Sequence, residues 1–190
     1  MTYRDEKETG IIRCTEIDES LLVRLKKDDA EAFGLLYEQA SSAVFGYAYS
    51  ILKNYDDAKD VMQDTFLKIR AAAHLYEPQG KPMAWIMTIA RNLCNMKFRQ
   101  NVRMAETEDS GLDYLGEAVM PEDVELRVTL ETALKVLSDS EREVIILHAL
   151  TGMKHREIAK LLKMPLATVL AKYHRGLKKM RVSLEETGNE

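Results

Sequence analysis

The 190 residues could form one medium-sized domain or two small ones, and a hydrophobic fraction of 46% is adequate for packed cores. No apolar run approaches the about 18 residues that a membrane span requires, and the charged start, Met1 to Glu19, is unlike a secretory signal. We therefore expect a cytoplasmic protein. Cys14 and Cys94 lie in no metal-binding or disulfide pattern, so both are expected to be reduced thiols.

The net charge of −4 gives no hint of nucleic-acid binding, but the charge is unevenly distributed. Residues 81–103 contain five Lys or Arg and no acid, and residues 104–125 contain eight acids and no base. Residues 151–181 contain nine Lys or Arg against one Glu. A basic face raises the local affinity for phosphates whatever the total charge, so the two basic blocks indicate an anionic partner.

Apolar positions recur at helical spacing through the first half of the chain, and no segment alternates as a strand would. After a tail at residues 1–17, helices are predicted to begin at Asp18, Asp29, Ala43, Asn54 and Pro82. The segment from Glu77 to Pro82 interrupts the pattern, because its two prolines and its glycine disfavour a helix. The last of these helices should end near Gln100.

The fold class predicted from these patterns is all-α, with two small helical domains. The first occupies residues 18–100, and the acidic, aperiodic segment 101–121 is interpreted as a linker. The second domain occupies residues 122–184, and residues 185–190 form a tail.

The second domain has the layout of a helix-turn-helix. A first helix carries apolar residues up to Leu137, and the capping box Ser138-x-x-Glu141 begins the next helix, which Gly152 ends. A short helix from about His155 to Leu162 and a final helix from near Pro165 follow. A tight turn between two helices with a basic end is typical of DNA-binding domains.

The helix that begins at Asn54 has two unlike faces. At about 100° per residue, its apolar face consists of Ala58, Met62, Thr65, Phe66 and Ile69. Asp57, Asp60 and Asp64 fall within a narrow arc on the far side. Such an acidic stripe is either a solvated face or a surface for a partner.

The helix that begins at Pro82 carries an apolar and a polar stripe. The apolar side consists of Trp85, Ile89, Leu93 and Met96. The polar stripe and its basic flanks consist of Thr88, Arg91, Asn92, Asn95, Lys97 and Arg99. Asn and Arg can pair with base edges, and Arg and Thr can hold phosphates, so the stripe is either a solvated face or a DNA surface. Trp85 is either a core residue or an aromatic that stacks on an unpaired base.

In the final helix, Val169, Tyr173 and Leu177 repeat every four residues and are expected to pack inward. The face left outside consists of Ala167, Thr168, Leu170, Ala171, Lys172, His174, Arg175, Lys178 and Lys179. Its basic residues suit phosphates, whose binding depends on salt and is not specific by itself.

Two of these motifs resemble one protein family. Residues 57–66, with the pattern Asp-Ala-x-Asp-x-x-Gln-Asp-x-Phe, resemble the core-polymerase-binding helix of bacterial sigma factors of the extracytoplasmic-function (ECF) group. Residues 85–92 resemble the segment of the same family that recognises and melts the downstream (minus-ten) promoter element. In that family the preceding loop, here His74 to Met83, captures a flipped-out base.

The helix-turn-helix resembles the domain of the same family that reads the upstream promoter element, through Glu157-Ile158-Ala159 and Thr168-Val169. The chain departs from the family pattern at Lys163, where Gly is frequent. It also departs at Leu170 and Ala171, which replace a basic and a small polar residue. Base readout through those two positions must be apolar, for example against a thymine methyl group, so the upstream specificity is left open.

The resemblance implies a sigma factor that directs promoter recognition, strand opening and transcription initiation, for a stress or envelope regulon. The residues implied in binding core RNA polymerase are Asp57, Asp60, Gln63, Asp64 and Phe66. The polar stripe beside Trp85 would contact the downstream element, and the outer face of the final helix would contact the upstream one. The implied partners are core RNA polymerase, promoter DNA and an anti-sigma factor. The acidic segment is either a solvated tether or a mimic of phosphate charge that threads the nucleic-acid channels of the polymerase.

Two other classes remain open. A helix-turn-helix regulator would bind duplex DNA as a dimer without polymerase, and an all-helical adaptor would have no promoter-dependent effect. An enzyme is not expected, because the chain has no P-loop, no HExxH and no nucleophile–base pattern. No cofactor, metal, small-molecule substrate or membrane insertion is predicted, and the four His residues are scattered.

Overall fold

The structure, a computed structural model, describes residues 17–105 and 134–187. Within these ranges it consists of helices, turns and loops, without a strand, which confirms the all-α prediction. The helices are α1 (Glu19–Leu25), α2 (Ala30–Leu52), α3 (Tyr55–Ala72), α4 (Pro82–Ala105), α5 (Asp139–Thr151), α6 (His155–Leu162) and α7 (Leu166–Thr187). One 3-10 turn, Ala73–Leu75, follows α3.

Several predicted segments lie outside the described residues: most of the N-terminal tail, the acidic segment from residue 106, and the first helix of the second domain up to residue 133. The described boundaries differ from the predicted ones at two places. Ile17, assigned to the tail, is buried in the core with 5% exposure. Helix α4 continues to Ala105 instead of ending near Gln100.

Polar side chains begin three of the helices as the sequence predicts. The carboxylate of Asp18 accepts a hydrogen bond from the Ser20 amide at 2.9 Å, and that of Asp29 accepts one from the Ala32 amide at 3.1 Å. The Asn54 side chain accepts from the Asp57 amide at 2.9 Å. Each bond satisfies an amide that has no partner inside its helix, which fixes where the helix starts.

The two helices predicted to begin at Asp29 and Ala43 are one continuous helix, α2. No proline or left-handed residue interrupts the chain between them. Ala40, Ala43 and Val44 are all buried, so the apolar face runs through the junction. The prediction of a break was wrong because unbroken packing along α2 makes a break unfavourable.

Helices α1 to α4 form one core, with α2 packed against each of the others. The predicted apolar face of α3 is confirmed, since its five residues are all buried. The predicted apolar face of α4 was partly wrong. Its buried residues include Ile86, Met87, Ala90 and Cys94, whereas Met96 is 52% exposed. Helix α4 packs against α2 and α3 at once, so its buried surface is wider than one stripe and rotated away from Met96.

Helices α5 to α7 form the helix-turn-helix unit, in which Val144, Leu147, Ile158 and Val169 are buried. Leu177 was predicted to pack inward, and this was wrong, since it is 40% exposed. The adjacent Gly176 faces α5 instead, and a Cβ there would lie 2.5 Å from Ile145 Cδ1. The missing side chain lets α7 approach α5 closely at Gly176, and Leu177, about 100° further round the helix, faces outward.

The two helical units pack against each other. Helix α5 contacts α2, and helix α6 contacts α4. No helix of the described residues combines the length and the apolarity needed to cross a lipid bilayer.

Candidate functional site

The exposed end of the α3 stripe forms what we call the acidic surface, consisting of Asp60, Gln63 and Asp64. These side chains, together with Met96, Lys97 and Gln100 of α4, line a groove of about 390 Å³ between the two helices. The α3 wall of the groove is therefore acidic, whereas the α4 wall combines an apolar, a basic and an amide side chain.

Asp57 differs from the other members of the stripe, because α4 holds it. Lys97 Nζ lies 2.9 Å from Asp57 Oδ1 and 3.8 Å from Asp60 Oδ2. Asn101 Nδ2 donates to Asp57 Oδ2 at 2.6 Å. The hydrogen bond to Asp57 raises the pKa of Lys97. Asp57 thus joins α3 to α4, and Lys97, which the sequence assigned to the DNA-facing stripe, is bonded to the acidic stripe in this structure.

Phe66 does not contribute to the surface in this structure, because it is only 2% exposed. Its ring centroid lies 4.7 Å from that of Tyr37 and 6.3 Å from that of Phe33, both on α2. The prediction grouped Phe66 with the polymerase-binding residues. The structure places it beneath them, where it fixes the position of α3 against α2.

The polar stripe of α4 is largely free. Thr88, Asn92 and Arg99 are exposed, and Asn95 is half-buried. Arg91 is the exception, because its Nε lies 3.0 Å from Glu143 Oε1 of α5. In this structure Arg91 is therefore an ion-pair partner between the two helical units.

Trp85, at the start of α4, is half-buried. Its ring centroid lies 5.0 Å from that of Tyr76, in an edge-to-face arrangement. Trp85 therefore packs against Tyr76 and keeps part of its surface exposed, and stacking on an unpaired base stays a prediction.

The outer face of α7 divides into free and engaged residues. The exposed side chains of that face that no described bond engages are Ala167, Thr168, Ala171, His174 and Lys178. Lys172 Nζ donates to Ser140 Oγ at 2.6 Å, and Lys179 Nζ donates to Glu141 Oε2 at 2.7 Å. Leu170 is half-buried, which suits the predicted apolar contact.

Glu141 contacts two of the basic side chains of α7, Arg175 and Lys179. It is 3% exposed, Arg175 Nε lies 3.9 Å from its Oε1, and it also accepts from the Ser138 amide at 3.0 Å. The hydrogen bond from Lys179, followed by the one from the Ser138 amide, lowers the pKa of Glu141 to about 2. Lys179 and Arg175 are consequently engaged by Glu141 in this structure.

Sequence reasoning missed Glu19, Tyr76 and Glu143, although each makes a bond between elements distant in the chain. No local signal marks them, because their partners lie more than 50 residues away.

Two family models match the chain. Residues 36–104 match sigma-70 region 2, which includes the acidic surface and the polar stripe of α4. Residues 127–180 match sigma-70 region 4, which includes the helix-turn-helix. Together the matches cover most of the sequence, in the order the resemblance predicted.

The chain belongs to the sigma-70 family of RNA polymerase sigma factors.

Its relatives place it in the ECF group. It is 27% identical to the ECF RNA polymerase sigma factor SigK of Mycobacterium sp. (strain KMS), over 88% of this chain and 90% of the relative. It is 26% identical to the ECF RNA polymerase sigma factor SigW of Bacillus subtilis (strain 168), over 86% of this chain and 94% of the relative. This sigma factor is therefore a promoter-specific initiation factor of RNA polymerase, which confirms the predicted function.

A solved structure has the same fold. The sigma factor RpoE, in complex with the anti-sigma factor NepR from Bartonella quintana, superposes with a TM-score of 0.70 at 23% identity. The superposition covers 82% of this chain and 98% of that one.

Proposed function

We propose that the surfaces described above divide the work of initiation among three places on this sigma factor. The acidic surface binds core RNA polymerase, the polar stripe of α4 engages the downstream promoter element, and the free face of α7 engages the upstream element. The observation that carries this assignment is that α3 and α4 bury their apolar faces in one core. Their charged and polar faces therefore point outward, with fixed spacing, on a rigid support.

Core binding rests on Asp60, Gln63 and Asp64, which are exposed and line the groove beside α4. Asp57 acts indirectly, since its bonds to Lys97 and Asn101 hold the stripe against α4. Phe66 fixes the same helix from below through its aromatic neighbours. A carboxylate surface of this kind suits a basic surface on the polymerase, where charge complementarity sets the register of docking.

Opening the downstream element is assigned to Thr88, Asn92, Asn95 and Arg99, with Trp85 and the loop before it. Breaking a base-pair step costs about 1.4 kcal/mol, and bonds to an extruded base offset part of that cost. Asn can bond a base edge and Arg can hold a phosphate, so the stripe combines recognition with charge. The accessible side of Trp85 is suited to stacking on an unpaired base.

Upstream binding is assigned to the face of α7 that intramolecular bonds leave free, including Thr168, Ala171, His174 and Lys178. Lys178 supplies phosphate charge, and the small side chain of Ala171 admits close approach to a thymine methyl group. Three other basic residues of α7 contribute less to DNA binding than their charge suggests, because Ser140 and Glu141 compete with DNA for their side chains. These residues are Lys172, Arg175 and Lys179.

The finer biological setting belongs to the same proposal. This sigma factor acts in the cytoplasm, where core polymerase is, and serves a stress or envelope regulon. An anti-sigma factor holds it inactive, as the resemblance implies, and the fold shared with the RpoE bound to NepR supports such a partner.

Run-off transcription tests these assignments. Purified core polymerase is used with and without the chain over a library of promoter fragments, and core binding is measured separately. The double variant Asp60→Arg, Asp64→Arg is expected to abolish both core binding and specific transcripts. The matched control is Asp56→Arg, Glu38→Arg, which makes the same charge change at exposed residues outside the groove.

Specific transcripts that require the chain, and that only the groove variant loses, would support the assignment. If core polymerase neither binds the chain nor initiates with it, the proposal fails, and a regulator that binds duplex DNA alone becomes the better account. Dimers and tight duplex binding without polymerase would favour that alternative directly.

A further inference from the structure

The loop before α4 is attached to α1 by one carboxylate. Glu19 Oε1 accepts hydrogen bonds from the Tyr76 hydroxyl at 2.5 Å, the Gln79 amide at 2.8 Å and the Gly80 amide at 2.9 Å. These donors stand near the two ends of the loop, residues 76–81. One acceptor atom therefore fixes the loop at both ends.

The attachment continues from the loop to the aromatic side chain beside the polar stripe. Tyr76 is only 3% exposed, and its ring meets that of Trp85 edge to face at 5.0 Å. The Trp85 amide donates to the Lys81 carbonyl at 3.3 Å, which joins the end of the loop to the first turn of α4. A change in the position of Tyr76 would thus reach Trp85 through direct packing.

Apart from the bonds to Glu19, the loop is held at its end by Lys81, whose Nζ lies 3.9 Å from Glu157 Oε1 of α6 and whose carbonyl accepts from the Trp85 amide. Glu77, Pro78, Gln79, Gly80 and Lys81 are all exposed. Gly80 has a φ of 68°, a left-handed conformation that glycine adopts without strain. Two adjacent amides pointing at one carboxylate form a small anion-binding concavity, and a carboxylate bound this way is a strong hydrogen-bond acceptor.

We propose that Glu19 is a positioning residue for the downstream promoter element, which sets the conformation of loop 76–81 and the orientation of Trp85 from helix α1. This inference rests on the proposed role of the loop and Trp85 in capturing an unpaired base. Glu19 lies outside residues 36–104, which match sigma-70 region 2, so the matched region does not contain the residue that orders its loop. Glu19 acts through the loop and is not itself a contact to DNA.

The hydrogen bonds to Glu19 are stronger to its ionised form than to its protonated form. The bond from Tyr76, followed by those from the loop amides, lowers the pKa of Glu19, so the side chain is a carboxylate near neutral pH. A glutamine at this position would keep one oxygen acceptor but lose the charge. The pair Glu19→Gln and Glu19→Ala therefore separates the charge from the presence of an acceptor.

The first measurement is hydrogen exchange of the loop amides in the full chain. Glu19→Ala is expected to speed exchange at Gln79 and Gly80 by about fivefold or more, since each loses its acceptor. Glu19→Gln should give a smaller increase. The control Glu77→Ala removes a carboxylate from the loop itself and should leave these two amides unchanged. Tyr76→Phe, which removes one donor and keeps the ring, is a second variant in case Glu19→Ala unfolds.

The second measurement is run-off transcription with core polymerase over promoters randomised in the downstream element. Glu19→Ala is expected to reduce base preference by about tenfold at one position of that element. Core binding and preference at the upstream element should stay as in the wild type. A merely structural role would instead lower all three together with the melting temperature.

Unchanged exchange at Gln79 and Gly80 in Glu19→Ala would overturn the inference, because the hydrogen bonds to Glu19 would then not order the loop. Faster exchange with unchanged base preference would also overturn it. If the wild-type chain itself gives no promoter-dependent transcript, the proposed function fails and the inference fails with it. The exchange data distinguish that case, since they depend only on the hydrogen bonds between Glu19 and the loop.

Discussion

Arg91 and Glu143 form an ion pair that joins α4 to α5, with Nε 3.0 Å from Oε1. The same oxygen accepts a hydrogen bond from the buried Tyr47 hydroxyl at 2.8 Å, so three helices meet at one carboxylate. Burial, reinforced by Glu143, raises the pKa of Tyr47. Arg91, which the sequence analysis assigned to DNA binding, is thus paired with a carboxylate of the second helical unit in this structure.

This ion pair should stabilise the packed arrangement of the two helical units. Glu143→Gln is expected to weaken their contact by about 2 kcal/mol, because a charge-assisted hydrogen bond is replaced by a neutral one. Small-angle X-ray scattering of the free chain should then show a larger radius of gyration. Asp139→Asn removes an exposed carboxylate from the same helix and should leave the radius unchanged. An equal radius for wild type and Glu143→Gln would contradict the prediction.

The structure separates two α4 residues that the sequence placed in one DNA-binding set. Asn92→Ala should reduce open-complex formation about tenfold and leave core binding intact, because Asn92 is exposed and faces away from the core. Lys97→Ala should instead weaken core binding, since it removes the 2.9 Å contact that positions Asp57. Permanganate footprinting measures the first effect, and a polymerase pull-down measures the second. If Lys97→Ala instead reduced open-complex formation and left core binding intact, Lys97 would be a DNA contact.

Glu141 should make the stability of the C-terminal unit depend on acidity. Its pKa is lowered from the ordinary 4.5 to about 2, so its stabilising contribution is complete above about pH 4.5 and is lost as the pH falls towards 2. Glu141→Gln is expected to cost about 2 kcal/mol near neutral pH and almost nothing at pH 2. Thermal unfolding at several pH values tests this. Glu185→Gln, which breaks the exposed pair with Arg181, should cost less than about 0.5 kcal/mol.

Gly176 should resist substitution because of its closeness to α5. An alanine Cβ would lie 2.5 Å from Ile145 Cδ1 and 3.3 Å from Leu137 Cδ2. Overpacking lowers the free energy of unfolding by about 1–3 kcal/mol, whereas the better helix propensity of alanine raises it by about 1 kcal/mol. The net expectation is that Gly176→Ala destabilises the protein by about 1 kcal/mol. Ile145→Val removes the obstructing methyl group and should abolish that cost in the double variant. Gly34→Ala, where open space surrounds the Cβ, should stabilise.

Lys163, in the turn of the helix-turn-helix, holds a left-handed conformation with φ of 54°. A non-glycine residue there costs about 1 kcal/mol, so Lys163→Gly should raise the melting temperature. Lys160→Gly, in the preceding helix, should lower it by a similar free energy. Differential scanning calorimetry of the two variants shows directly whether each substitution raises or lowers the melting temperature. A lower melting temperature for Lys163→Gly would mean that the Lys163 side chain stabilises the turn by more than the strain costs.

The sequence alone determined the all-α class, the helix starts at Asp18, Asp29 and Asn54, and the layout of the helix-turn-helix. These features depend on interactions within a few residues, such as the bond from the Asp57 amide to Asn54, and on the 3.6-residue period. The family motifs on α3 and α4 are local in the same way. Each of them is contained within one helix, so its spacing is visible in the linear chain.

Only the tertiary structure decided which residues of those motifs are free to bind a partner. Phe66 became core, Lys97 bonded to Asp57 and Arg91 paired with Glu143, because helices distant in the sequence met at those positions. Leu177 faces outward because Gly176 takes the position on α7 that packs against α5. Contacts between residues more than 50 positions apart depend on how the whole core packs. A local pattern of charge and apolar spacing therefore does not predict them.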